Sequence, residues 1–169
     1  MFEEVQSPTT NSRQNEVAAS WALKGVTFLQ KLKAVLSQIG KSSQPFDPFD
    51  GLAMANCCAI ALYHCRNFSY FPCFTDLKTP TLTEDESSSL ITTILDETER
   101  ILEKSMVPGI LLLFPLRVAG VSARMTSHKA RIGKALRSVY TRGFAVSEWV
   151  LTDLQEVWDW QENLSVVTT

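Results

Sequence analysis

The sequence lacks the usual marks of an enzyme. It holds no G-x-S-x-G elbow, no phosphate-cradling glycine loop and no H-E-x-x-H, and only His64 and His128 could serve as a side-chain imidazole base. Neither histidine sits in a recognisable catalytic setting, so no catalytic residue is assigned. Metal-ligand spacing is missing too. Cys57 and Cys58 are adjacent, and the gaps to Cys65 and Cys73 are six and seven residues. A local zinc site needs two thiolates two to four residues apart, and neighbouring helical residues point about 100° away from each other. The four cysteines therefore read as small apolar residues, with no metal and no cofactor expected.

Long apolar runs are equally scarce. Val107 to Leu116 supplies ten residues before Arg117 interrupts, whereas a membrane span needs about 20. Glu3 and Glu4, after Phe2, place acids where a secretory leader is basic, and an intracellular, reduced chain is the expectation. No segment alternates convincingly with a period of two, so strands are not expected.

What is present is helical periodicity and segregated charge. At 169 residues the chain suits one domain, burying about 70% of the surface its unfolded form exposes. Residues 1–15 are polar and aperiodic and read as a disordered lead-in; 16–162 form the helical domain and 163–169 a flexible tail. Trp21, Phe28, Leu29, Leu32, Val35, Leu36 and Ile39 recur at three- and four-residue steps, closed by Gly40. Leu52 to Asn67 is apolar on nearly all sides, as in a helix sandwiched within a core. Asn67 to Leu82 reads as an irregular connection packed by its aromatic rings. Thr83 and Glu86 form a capping box ahead of the stripe Leu90, Ile91, Ile94, Leu95, Ile101 and Leu102.

Val107 to Arg124 is expected to be a buried central helix that Pro115 kinks or splits. It marks a reversal of charge. Lys104 to Arg142 contains eight lysines and arginines and no acid, whereas Glu148 to the C-terminus has five acids and no base. The stripe Ile132, Ala135, Leu136, Val139 and Tyr140 belongs to a basic amphipathic helix ended by Gly143. Val146, Trp149, Val150, Leu154, Val157 and Trp158 belong to an acidic one. The two are expected to lie antiparallel with complementary charge along their seam, which makes direct DNA contact by Arg124, Lys129, Arg131, Lys134, Arg137 and Arg142 unexpected. The fold class is all-α, a single-domain array of about six helices.

The order of these pieces resembles the C-terminal regulatory, middle-homology-type region of fungal zinc-cluster transcription factors. Phe114, Pro115, Leu116, Arg117, Val118, Ala119 and Gly120 carry most of the likeness, with Arg142, Gly143, Phe144, Leu154 and Trp158 as support. Pro115 and Gly120 look architectural, and Arg117 is a candidate donor to helix-end carbonyls or to an acid on a neighbouring helix. The resemblance implies a transcription regulatory module, nuclear although the chain shows no import signal (otherwise cytoplasmic), of the kind that governs nutrient use or secondary-metabolite gene clusters. The zinc-cluster module is not matched, because four cysteines without paired C-x-x-C spacing cannot form it. Action by protein interaction is therefore expected, through self-association or binding to a full-length transcription factor. Candidate surfaces are Trp21, Phe28 and Leu32 on the first helix and Trp149, Val157 and Trp158 on the last. A small-molecule effector is compatible with this reading. The alternative is a small cofactorless helical enzyme or ligand-binding accessory protein with a cavity near Tyr63, His64 or His128. A remnant without selected activity is the third.

Overall fold

A computed structural model describes residues 8–39 and 47–167, and among them it contains six α-helices and no strand. These are α1 (Pro8–Ile39), α2 (Pro48–Tyr70), α3 (Glu84–Lys104), α4 (Leu113–Ser122), α5 (Thr126–Thr141) and α6 (Val146–Val167). Short 3-10 turns occupy Pro72–Phe74 and Gly109–Leu112. The all-α expectation holds. Gly40, read as the close of the first stripe, lies outside the described residues. No described helix is long and apolar enough to cross a membrane.

α2 is the layer between the others, packed on α1, α3 and α4. Asp47 caps it, its Oδ1 accepting from the Phe49 amide at 2.8 Å, and Pro48 occupies the first turn, where its missing N–H costs nothing. Ala55, Cys58, Ala59, Ala61 and Leu62 are buried, and the small size of the first four lets the flanking helices approach closely. The helix runs on to Tyr70, so Asn67 to Tyr70, expected as irregular chain, is its last turn. Phe68 stacks between His64 and Phe74, with ring centroids at 5.1 and 4.8 Å.

α3 begins at the capping box as expected. Thr83 Oγ1 accepts from the Glu86 amide at 3.1 Å, and Glu86 Oε2 accepts from the Thr83 amide at 2.9 Å. Its inner stripe, Ile91, Ile94, Leu95 and Ile101, is wholly buried against α2, α4 and α5. Each such side chain contributes about 1.5–3 kcal/mol on leaving water.

The stretch from Val107 to Arg124 is not one helix. Val107 and Pro108 belong to no helix, Gly109–Leu112 is a 3-10 turn, and only Leu113–Ser122 is α-helical. Pro115 neither kinks nor splits it. It stands third in the helix, among the first residues whose amides have no intrahelical acceptor, so its missing N–H breaks no bond. The segment is nevertheless the centre of the core, with Leu112, Pro115, Leu116, Ala119 and Ala123 fully buried.

α5 buries Ile132, Ala135, Leu136 and Val139 as the periodicity implies, while Tyr140 is exposed. α6 packs on α4 and α5 chiefly through Leu154, and Val146 and Trp149, at the edge of its stripe, face outward. α1 begins ahead of its apolar stripe, at Pro8, and α6 continues to Val167, so both terminal helices reach into segments read from sequence as lead-in and tail.

Candidate functional site

Three of the family-like residues, Gly120, Leu154 and Trp158, meet at the C-terminal end of α4. The last carbonyls of a helix have no intrahelical donor. Here Trp158 Nε1 donates to Gly120 O at 2.9 Å, while Gln161 Nε2 (3.2 Å) and Arg66 Nη1 (2.9 Å) both donate to Val121 O. Side chains from α2 and α6 thus close the end of α4. Gly120 is required by contact: a Cβ there would lie 2.5 Å from Leu154 Cδ1 and 2.7 Å from its Cδ2. Arg117 Nη2 reaches Asp153 Oδ2 at 3.1 Å, one of the two options read from sequence. Both partners are well exposed, so the pair contributes little to stability. Phe114, Arg117 and Val118 are the motif residues left at least partly open to solvent.

Arg142 closes another helix end. Its Nη2 donates to Leu102 O and its Nη1 to Ser105 O at 3.4 Å, the carbonyls at the C-terminus of α3. Gly143 follows with φ +94°, the left-handed conformation that ends α5, and Phe144 O then accepts from the amide and hydroxyl of Ser147 at the start of α6.

The basic helix is matched by acids on both sides. Lys129 Nζ lies 2.9 Å from Glu162 on α6, as the expected seam requires. The stronger pairing is with α3, which the sequence reading did not anticipate. Arg131 donates to both carboxylate oxygens of Glu99, at 2.9 and 2.8 Å, and to Asp96 at 2.7 Å. The hydrogen bonds to Glu99 above all raise its pKa, holding the guanidinium charged.

The candidate chemical groups are dispersed. Cys58 is buried, Cys57 and Cys65 are half-buried and Cys73 is exposed, all as free thiols. Burial pushes the Cys58 thiol up to about 12 and Cys65 to about 11, which suppresses thiolate chemistry at both. His64 Nε2 lies 3.0 Å from Gly25 O, with its ring 4.8 Å from that of Phe28. His128 is buried, its Nε2 3.2 Å from Thr92 Oγ1, and burial followed by nearby Arg131 lowers its pKa. No set of three or more His, Cys, Asp or Glu among the described residues could hold a metal. Of the three residues named for a cavity, Tyr63 lines an open cleft of about 580 Å³ between α2 and α4.

The candidate interface residues divide by exposure. Trp21 (57%), Phe28 (44%) and Trp149 (75%) are open to solvent. Leu32 is buried with Leu29 and Ala61 at the α1–α2 contact, and Val157 and Trp158 are half-buried. Two exposed positions were missed. Val17 extends the Trp21, Phe28 and Val35 stripe, and Trp160 stands eleven residues, or about three turns, beyond Trp149 on the same face of α6. Helical spacing alone could have found both.

No curated protein and no solved structure matches the chain. A family model does, described as the fungal specific transcription factor domain and matching residues 7–166. The match takes in all six helices, including the closed end of α4 and the Arg142 clasp. The chain therefore belongs to the fungal-specific transcription factor domain family, whose role is in the regulation of transcription.

Proposed function

We propose that the domain regulates transcription by protein association in the nucleus, with a second copy of itself or a longer relative as the partner. The observation that carries this reading is the uncovered edge of α1. At about 100° per residue, Ala18, Ala22, Leu29 and Leu32 form a buried stripe, the two leucines packed on Ala61 of α2, and Val17, Trp21, Phe28 and Val35 form a second stripe beside it. The apolar arc of α1 is wider than α2 can cover. Its seven-residue steps from Trp21 to Phe28 to Val35 are those that keep side chains in register along a helix pair, which favours another α1 as the occupant. The acid pairing of Lys129 and Arg131 supports a protein partner over duplex DNA as the direct contact. A link to a metabolic or secondary-metabolite gene cluster is part of the same proposal.

Light scattering on the eluting peak of a sizing column tests it. The wild-type chain is expected as a dimer, and Trp21→Glu combined with Phe28→Glu as a monomer that keeps its helical circular dichroism spectrum, because both side chains are exposed. Leu32→Glu serves as the contrast, losing the fold itself through a buried charge. A wild-type monomer at concentrations of about 100 μM, far above typical specific affinities, removes the second copy as the partner.

A further inference from the structure

The cleft between α2 and α4 has a chemistry that the association reading does not use. Each wall is one helical face read at i, i+3, i+4 and i+7: Tyr63, Arg66, Asn67 and Tyr70 from α2, and Phe114, Arg117, Val118 and Val121 from α4. Both walls therefore begin with an aromatic ring and carry an arginine one turn on. Tyr63 and Phe114 meet edge to face, centroids 6.5 Å apart at 68°, and close one end. All three aromatic side chains of the cleft are exposed, Tyr70 by 76%, although rings of this size are normally covered when a partner is available.

The electrostatics are one-sided. No carboxylate lines the cleft. Of five N–H donors apiece, Arg66 directs one to Val121 O and Arg117 one to Asp153, which leaves both guanidinium groups with donors for a further acceptor. A third cation stands close by: Arg66 and Arg124 line an adjoining hollow of about 270 Å³, which also contains no acid. Burial first, and the like charge of Arg124 second, lower the pKa of Arg66, as expected for a cation that gains from an anionic partner. The main cleft, at about 580 Å³, lies within the range of small-molecule sites, roughly 300–1,000 Å³.

We propose that this cleft binds a small organic anion, an aromatic carboxylate whose ring lies against Tyr63, Phe114 and Val118 while its charged group is held between Arg66 and Arg117. Guanidinium groups suit a carboxylate because their planar fork matches its two oxygens. The ligand would also join α2 to α4 next to the carbonyl of Val121, so binding should tighten the closed end of α4. The site shares no residue with the outer stripe of α1, and its test does not depend on oligomeric state.

The fluorescent aromatic sulfonate 8-anilinonaphthalene-1-sulfonate is the probe. Saturable binding of one equivalent per chain is expected, displaced by 1-naphthoate and not by the uncharged 1-naphthylmethanol at the same concentration. Arg66→Gln combined with Arg117→Gln should weaken binding at least tenfold, and Val118→Trp, which fills the cleft, should abolish it. Absence of saturable binding overturns the proposal, as does equal displacement by the neutral alcohol or unchanged affinity in the double variant. Arg66 also holds Val121 O, so the double variant could loosen α4. The naphthoate and naphthylmethanol comparison on the wild-type chain decides the question without it.

Discussion

Trp158 Nε1 and the carbonyl oxygen of Gly120 lie 2.9 Å apart, a hydrogen bond that ties the later turns of α6 to the last turn of α4. It depends on a close approach of the two helices. That approach exists because residue 120 has no side chain to hold Leu154 away.

Gly120→Ala should destabilise the domain by about 1–3 kcal/mol, the usual cost of forcing a methyl group into a filled core. Leu154→Ala should cost about 2–5 kcal/mol through the cavity it leaves. The double variant should cost less than the two together by about 1 kcal/mol, because the new methyl group occupies part of that cavity. Urea unfolding of the four proteins checks this, and strict additivity would mean that the two residues do not share the space.

Arg142→Ala should lower stability by about 1 kcal/mol, since the last carbonyls of α3 lose a charged donor and must rely on water. Arg142→Lys should recover only part of this, because an ammonium lacks the fork that reaches Leu102 O and Ser105 O together. Hydrogen exchange should accelerate at the end of α3 in both variants while its capped start stays protected. Uniform acceleration along α3 would place the effect elsewhere.

His128 should make the domain lose stability as pH falls below about 6.5, its ordinary value. Burial, and then Arg131, depress its pKa in the folded state, so the unfolded chain takes up the proton first and is favoured until pH has dropped through the folded value. Above the ordinary value the residue contributes nothing to the pH dependence. Chemical melts at pH 7.5 and pH 5 should therefore converge for His128→Gln, relative to the wild-type difference. Glu86 does not confuse the comparison. Its hydrogen bonds from Lys33 and the Thr83 backbone depress its carboxylate pKa below 4.5, so its contribution is lost only in more acid solution.

Much of the fold was legible because it is local. Thr83 and Glu86 satisfy each other's amides three residues apart, and Ile132, Leu136 and Val139 mark a buried face at helical spacing whatever they pack against. Arg117 was also readable as a pairing residue. Its partner was not, since Asp153 lies on a different helix. The long apolar stretch misled: Leu111 to Phe114 look alike in sequence, yet Leu112 is buried while Leu111 and Phe114 are each nearly half exposed. Hydrophobicity marks a segment for burial without stating which of its residues will find cover.

By itself, then, the sequence determined most of the helices, most of their inward faces, the cap of α3 and the left-handed stop at Gly143. Each follows from backbone terms or side-chain spacings within about two turns of chain. Only the tertiary structure decided that Gly120 must admit Leu154, that Arg131 turns to Glu99 and Asp96 on α3, and that Arg66 and Arg117 flank one cleft. Those pairs lie more than 30 residues apart, and no periodicity relates them. They meet because the burial of other side chains docks the helices, and that docking sets which polar groups come within reach.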